Sequence, residues 1–142
     1  MKLRTLVTGL GEIGRPLYEL LVESRQYEVY GYDIDGAKTV NKLNEIPSKI
    51  EILHIAFPYT NRFVDMVLEY MEMFKPDLTI IHSTVAPGTT RRIYEKSGRL
   101  VAYSPVRGKH PHIKKHLRFW TKWVAGIPPK AGAEAAKYLE SI

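Results

Sequence analysis

Residues 3–33, LRTLVTGLGEIGRPLYELLVESRQYEVYGYD, constrain the fold of this chain more than any other stretch. Leu3, Leu6 and Val7 make a short apolar run that stops at Gly9-Leu10-Gly11-Glu12-Ile13-Gly14. Ile13, Leu17, Leu20 and Leu21 then recur at helical spacing. Tyr27 to Tyr32 form a second apolar run, which Asp33 closes. A strand, a glycine turn, a helix and a second strand in about thirty residues make a βαβ unit, whose strands lie parallel.

Each glycine stands where a side chain would obstruct. Gly9 permits the tight turn off the strand, Gly11 lets the backbone approach a pyrophosphate, and Gly14 lets the helix pack closely on the strand. Leu10, Glu12 and Ile13 complete the turn and join the glycines as candidate cofactor contacts. The helix that follows opens with unpaired N–H groups and the positive end of its dipole. Asp33 comes 19 residues after Gly14, the spacing of an acid that hydrogen-bonds an adenosine ribose. A glycine-rich turn in some other α/β unit is the alternative, and it leaves Asp33 to chance. A carboxylate there repels a 2′-phosphate, so NAD is expected over NADP, with the nearby Lys38 tempering that preference.

A length of 142 residues fits one domain with a proper core, here residues 1–142. With ordinary hydrophobic content and one quarter charged residues, it reads as a soluble globular chain. No run of 18 apolar residues offers a membrane span, and MKLRTLV leads straight into the first strand rather than a secretory signal. The chain has no cysteine, which excludes disulfides, a thiolate metal site and a cysteine nucleophile. Cytoplasm is the default location. The net charge of +6 is uneven: residues 1–90 carry 9 Lys/Arg against 12 Asp/Glu, whereas residues 91–130 carry 11 against Glu95 alone. The second half is therefore a basic surface suited to an anion.

Beyond Asp33, a turn at Ile34-Asp35-Gly36 precedes a short helical piece around Ala37 to Leu43. Ile50 to Phe57 read as a strand ended by Pro58, and Thr60 or Asn61 can cap a helix. Phe63, Val64, Val67, Leu68, Met71 and Phe74 form its core face. Leu78 to Ile81 is a buried strand, followed by a short helix to Lys96 with Gly98 as its left-handed cap. Leu100 to Tyr103 is the next strand, His112 to Phe119 a partial helix, Lys122 to Ile127 a last strand, and a helix from Pro128-Pro129 completes the pattern. Alternating strands and helices predict an α/β, Rossmann-like, doubly wound parallel sheet of about six strands. Only 18 residues separate Asp33 from Ile52, so one strand–helix step between strands 2 and 3 is missing. The expected order is 2-1-3-4-5-6, with the cofactor crevice between strands 1 and 3.

The segment IIHSTVAPGTTRRI, Ile80 to Ile93, resembles the N-terminal domain of the UDP-glucose and GDP-mannose type of nucleotide-sugar dehydrogenases. Ser104-Pro105-Val106-Arg107-Gly108 extends the likeness to the wider group with 6-phosphogluconate and 3-hydroxyisobutyrate dehydrogenases. The resemblance implies that Thr84 lies near the cofactor and reaction centre, and that Phe57 and Pro58 line the cofactor. It also implies a following central helix with a lysine and an asparagine, and a later substrate domain with a cysteine nucleophile; these 142 residues contain no cysteine. Read for themselves, Ser83 and Thr84 sit at the carboxyl end of a central strand, where their hydroxyls can face the nicotinamide ribose or a reacting hydroxyl. Capping the following turn is the alternative for both. Tyr59 can close the pocket.

His110, His112 and His116 fall within seven residues, but flanking lysines oppose a dication, so no metal site is expected. His54 and His82 read as core or rim histidines more than acid–base catalysts. The basic run with Phe119, Trp120 and Trp123 has the look of nucleic-acid binding, but a dinucleotide and an anionic substrate already account for the charge. The two tryptophans fit packing or an interface to a missing domain. Arg107 and Lys109 are the candidates for a substrate anion. The leading reading is the NAD-binding domain of an oxidoreductase that moves hydride between nicotinamide and an alcohol of an anionic nucleotide sugar or hydroxy acid. A missing substrate domain or a homo-oligomer would complete it. A stand-alone nucleotide-sensing module without catalysis is the alternative.

Overall fold

A computed structural model describes residues 2–105 and 125–140. In chain order these form β1 (Leu3–Thr8), α1 (Gly14–Ser24), β2 (Tyr27–Tyr32), a 3-10 turn (Leu43–Glu45), β3 (Ile52–Ile55), α2 (Phe63–Phe74), β4 (Leu78–Ile81), α3 (Thr89–Ser97), β5 (Val101–Tyr103), β6 (Ala125–Ile127) and α4 (Pro129–Glu140). The strands make one sheet in the order β2-β1-β3-β4-β5-β6, the order expected from the short step after Asp33. β1 pairs in parallel with β2 on one side (Leu3↔Tyr27) and with β3 on the other (Thr5↔Ile52), and β3 pairs in parallel with β4 (Ile52↔Leu78), so β3 and β4 lie at the centre with β1 beside them.

The pleat sends alternate residues to opposite faces, and each face finds its own helices. On one face Leu6, Leu53, Ile55, Ile81 and Val101 meet Phe63, Val67, Met71 and Phe74 of α2 and Ile93 of α3. On the other, Val7 meets Leu17 and Leu21 of α1, while Ile52, Leu78 and Ile80 meet Ala131 and Ala135 of α4. β3 and β4 are buried along their whole length, as their unbroken apolar runs require. Each large side chain so buried contributes about 1.5–3 kcal/mol of transfer free energy. At the amino edge, Arg4 and Glu51 tie β1 to β3. The Arg4 amide donates to Oε1 at 2.8 Å, and its guanidinium reaches Oε2 at 3.2 Å.

Three expectations need correction. β6 runs antiparallel to β5 (Val101↔Ile127), so the sheet is mostly rather than wholly parallel. Apolar alternation has the same period in either direction and does not encode strand polarity. α4 then folds straight back on β6, where a Cβ on Gly126 would collide with the backbone of Gly132. The helix expected around Ala37 to Leu43 is a set of turns, reaching helical geometry only in the 3-10 turn at Leu43–Glu45. Its polar groups find closer partners: the Asp35 carbonyl accepts from Lys38 and Thr39, and its carboxylate accepts from Ala37. Finally, neither Thr60 nor Asn61 is the cap of α2, which begins after Arg62. Thr60 acts one turn earlier, its hydroxyl accepting from the Arg62 amide at 3.2 Å. The partial helix expected at His112 to Phe119 lies outside the described residues. Gly98 ends α3 in the left-handed conformation at φ +68°, as anticipated.

Candidate functional site: a crevice at the carboxyl edge of β1 and β3

A crevice of about 670 Å3 opens at the carboxyl ends of the central strands. The turn from β1 into α1 forms its floor. Gly9 has φ +88°, and a Cβ there would lie 2.6 Å from the Phe57 nitrogen. A Cβ on Gly14 would strike the Gly9 carbonyl oxygen. Both are therefore required by the fold itself. Gly11 differs: a Cβ there meets nothing within 4 Å. The protein does not need that glycine for its own packing, and the residue lines the crevice. No side chain caps α1, whose first turn carries no acidic residue. Its dipole is thus available to an anion in the crevice, whereas the Arg15 amide is already held by the Gly11 carbonyl at 3.1 Å and Pro16 has no N–H.

Asp33 stands at the opposite wall from Thr84, at the end of β2, and it is locked in place. Its Oδ2 accepts the Leu10 amide at 2.8 Å and its Oδ1 accepts the Asp35 amide at 2.8 Å. Each oxygen keeps a second lone pair for a hydroxyl ligand. The acid therefore also braces the glycine turn. Leu10 contributes only that amide, since its side chain is in the core. Glu12 and Ile13 line the crevice beside Gly9 and Gly11, whereas Gly14 is buried beneath it.

The far wall comes from the ends of β3 and β4. Phe57, Pro58, Ser83 and Thr84 all line the crevice. Thr84 is exposed there. Ser83 is buried and donates its hydroxyl hydrogen to the Phe57 carbonyl at 2.6 Å, so it clamps the two strand ends together. Behind them His54 and His82 are buried, with Nδ1 of one 2.8 Å from Nε2 of the other and the rings stacked. Such a contact needs one N–H and one lone pair, so the rings are a bonded pair within the sheet layer. Arg107 and Lys109 lie outside the described residues, as do His110, His112, His116, Phe119, Trp120 and Trp123.

The crevice also has lining residues that the sequence patterns did not single out. Met66 and Tyr70 of α2 reach it, and so do Ile34 and Asp35 after β2. Tyr70 meets Tyr32 edge-on and Phe57 at a tilt, and burial pushes its phenol up to about 12, so it stays protonated. Spacing along α2 carried the signal, because Tyr70 is in step with Phe63, Val67 and Phe74. Tyr59 leans on Phe63 at the crevice mouth with 44% of its surface exposed. Among the described lining residues, Glu12, Asp33 and Asp35 are acidic and Lys38 is basic.

No protein-family model matches the chain. Curated proteins similar to it are two UDP-N-acetyl-D-mannosamine dehydrogenases. The Methanocaldococcus jannaschii protein is 27% identical over 185 aligned positions, covering 98% of this chain and 42% of the relative. The Pyrococcus horikoshii protein is 27% identical over 189 positions, covering 99% and 45%. Spreading 142 residues over 185 positions leaves at least 43 that the relative fills and this chain does not, a shortfall large enough for a strand–helix step. Among solved structures, the Pyrococcus horikoshii UDP-D-ManNAc dehydrogenase matches with a TM-score of 0.82 at 22% identity, over 98% of this chain and 44% of that one. The chain spans less than half the length of these relatives. Over nearly all its own length, it is similar in sequence and in Rossmann-like fold to part of the nucleotide-sugar dehydrogenases.

Proposed function

We propose that the chain is an NAD(H)-binding domain, and that it serves an oxidoreductase acting on an alcohol of an anionic substrate, a nucleotide sugar in the first instance. One observation carries the reading. A glycine position with no packing need of its own faces an uncapped helix start, and an oriented carboxylate stands at the end of the next strand. Gly11, with the backbone of Glu12 and Ile13, would hold the pyrophosphate, on a turn that Gly9 and Gly14 permit and that the Leu10 amide ties to Asp33. Asp33 would accept the adenosine ribose hydroxyls, and Phe57 and Pro58 would flank the cofactor. Thr84 would stand at the nicotinamide end, with Ser83 holding the strand end that presents it. Bound NAD supplies the hydride acceptor. The protein's share is orientation of that cofactor and exclusion of a 2′-phosphate by Asp33.

Arg107 and Lys109 are proposed to meet the substrate anion, which would be held against the nicotinamide by a further domain or a second copy. Among the described residues no helix is long and apolar enough to cross a membrane and no metal cluster forms. We place the protein in the cytoplasm, where NAD is available. Titration calorimetry of the 142-residue chain tests the reading: NAD(H) binds with a stoichiometry near one and more tightly than NADP(H). Absence of binding to either refutes it.

A further inference from the structure

We infer that Thr39 and Asn41 are positioning residues for cofactor recognition, clipping the loop after β2 to the free edge of the sheet so that Asp33 and Lys38 face the crevice. The inference rests on the NAD(H)-binding reading above. In the common doubly wound order a third strand lies outside the second and supports it. Here β2 is the last strand of the described sheet, and residues 34–41 take that place. Asn41 behaves as a one-residue strand. Its amide donates to the Gly31 carbonyl at 2.8 Å, and its Oδ1 accepts the Gly31 amide at 3.0 Å. Thr39 joins this bridge to the ribose-binding acid: its hydroxyl accepts the Asp33 amide at 3.0 Å and donates to the Asn41 carbonyl at 2.6 Å.

The hydroxyl thus acts as donor and acceptor at once, both in a half-buried site. Without it the Asp33 amide and the Asn41 carbonyl lose their partners together. The loop ends held by these bonds carry Asp33, Ile34, Asp35 and Lys38, and all four line the crevice. Thr39 itself does not line it. Its influence on the ligand therefore runs through the orientation of Asp33 and Lys38 at the adenosine ribose; any loosening of the Leu10 turn that Asp33 braces acts on both cofactors alike, so the ratio of their affinities is the readout.

The test compares Thr39→Val, nearly isosteric but unable to make either bond, with Thr39→Ser, which keeps both. Calorimetry with NAD and NADP is run on each full chain beside the wild type. Thr39→Val is expected to weaken NAD about tenfold and NADP much less, so that the preference between them shrinks, and Thr39→Ser is expected to restore it. Equal losses for both cofactors, or unchanged NAD affinity in a folded Thr39→Val, overturns the inference while leaving the parent reading intact. A wild type that binds neither cofactor overturns both. Hydrogen exchange on the unmodified chain serves if the variant fails to fold. The amides of Gly31, Asp33 and Asn41 are expected to be protected far beyond that of exposed Gly36. Free exchange at Asp33 and Gly31 refutes the clip.

Discussion

Replacing Asp33 by alanine perturbs two things at once, and their separation tests the site. The first is the fold. Oδ2 accepts the amide of Leu10, a residue with 4% of its surface exposed, and Oδ1 accepts that of Asp35, which is exposed. Water can replace the carboxylate at Asp35 but reaches the Leu10 amide poorly. Stranding one such donor costs about 1–3 kcal/mol. For a chain of this size that lowers Tm by roughly 3–10 °C. The second is the ligand. A hydrogen bond from a ribose hydroxyl to a charged acceptor is worth about 1.5–3 kcal/mol, or roughly tenfold to over a hundredfold in affinity. NADP gains relief from the same substitution, because the carboxylate that repels its 2′-phosphate is gone. The loosened Leu10 turn weakens both cofactors alike, so the diagnostic quantity is the ratio of the two affinities. Calorimetry at matched ionic strength, beside a thermal melt, should show NAD affinity falling much further than NADP. A lowered Tm with an unchanged ratio refutes the ribose assignment and leaves Asp33 as a brace for the glycine turn.

Gly11→Val should keep the wild-type Tm within about 2 °C, since a side chain there meets open space, and should abolish dinucleotide binding. Wild-type affinity in that variant sinks the pyrophosphate assignment. Glu51→Gln tests the amino edge through pH. Burial pushes the Glu51 carboxyl up, but hydrogen bonds from the Arg4 amide and guanidinium outweigh it and hold the group below its ordinary value of 4.5. A depressed folded pKa stabilises above 4.5 and is lost as pH falls through the folded value. The variant should therefore melt roughly a few degrees lower at neutral pH, with the gap closing in acid. A gap that persists in acid assigns the effect to packing.

Much of this molecule was readable because local signals and the global fold agreed. The βαβ unit announced itself through period and glycine, and the short stretch from Asp33 to Ile52 was arithmetic about chain length. That stretch gave the sheet order, since too few residues remained for another strand and helix. What stayed hidden depends on three-dimensional partners. The polarity of β6 leaves no mark in side-chain alternation. The loop after β2 has residues that can form a helical turn, yet it bonds to the sheet edge through Thr39 and Asn41. Tyr70 was left out of the apolar face read along α2, although its ring is buried in the core. Only the fold reveals that the same residue lines the crevice.

The last expectation concerns catalysis. Hydride transfer requires donor and acceptor carbons held in near-attack geometry, and positioning supplies most of the rate advantage. It also needs a base within hydrogen-bond reach of the alcohol proton. Where β3 and β4 end in the crevice, the described groups are poor candidates for either task. The Ser83 hydroxyl is committed to the Phe57 carbonyl, and His82 is buried against His54. Thr84 is exposed, but a hydroxyl alone is too weak a base. The relatives bring more than twice this length to their reaction. The 142-residue chain is therefore expected to bind NAD yet produce no substrate-dependent NADH absorbance with UDP-N-acetylmannosamine, UDP-glucose, GDP-mannose, 6-phosphogluconate or 3-hydroxyisobutyrate. Adding excess substrate leaves this result unchanged, because the deficit is in the walls of the pocket and not in affinity. Steady turnover with any of these compounds would show that a second copy, or the basic segment carrying Arg107 and Lys109, completes the site, and the argument from positioning would fail.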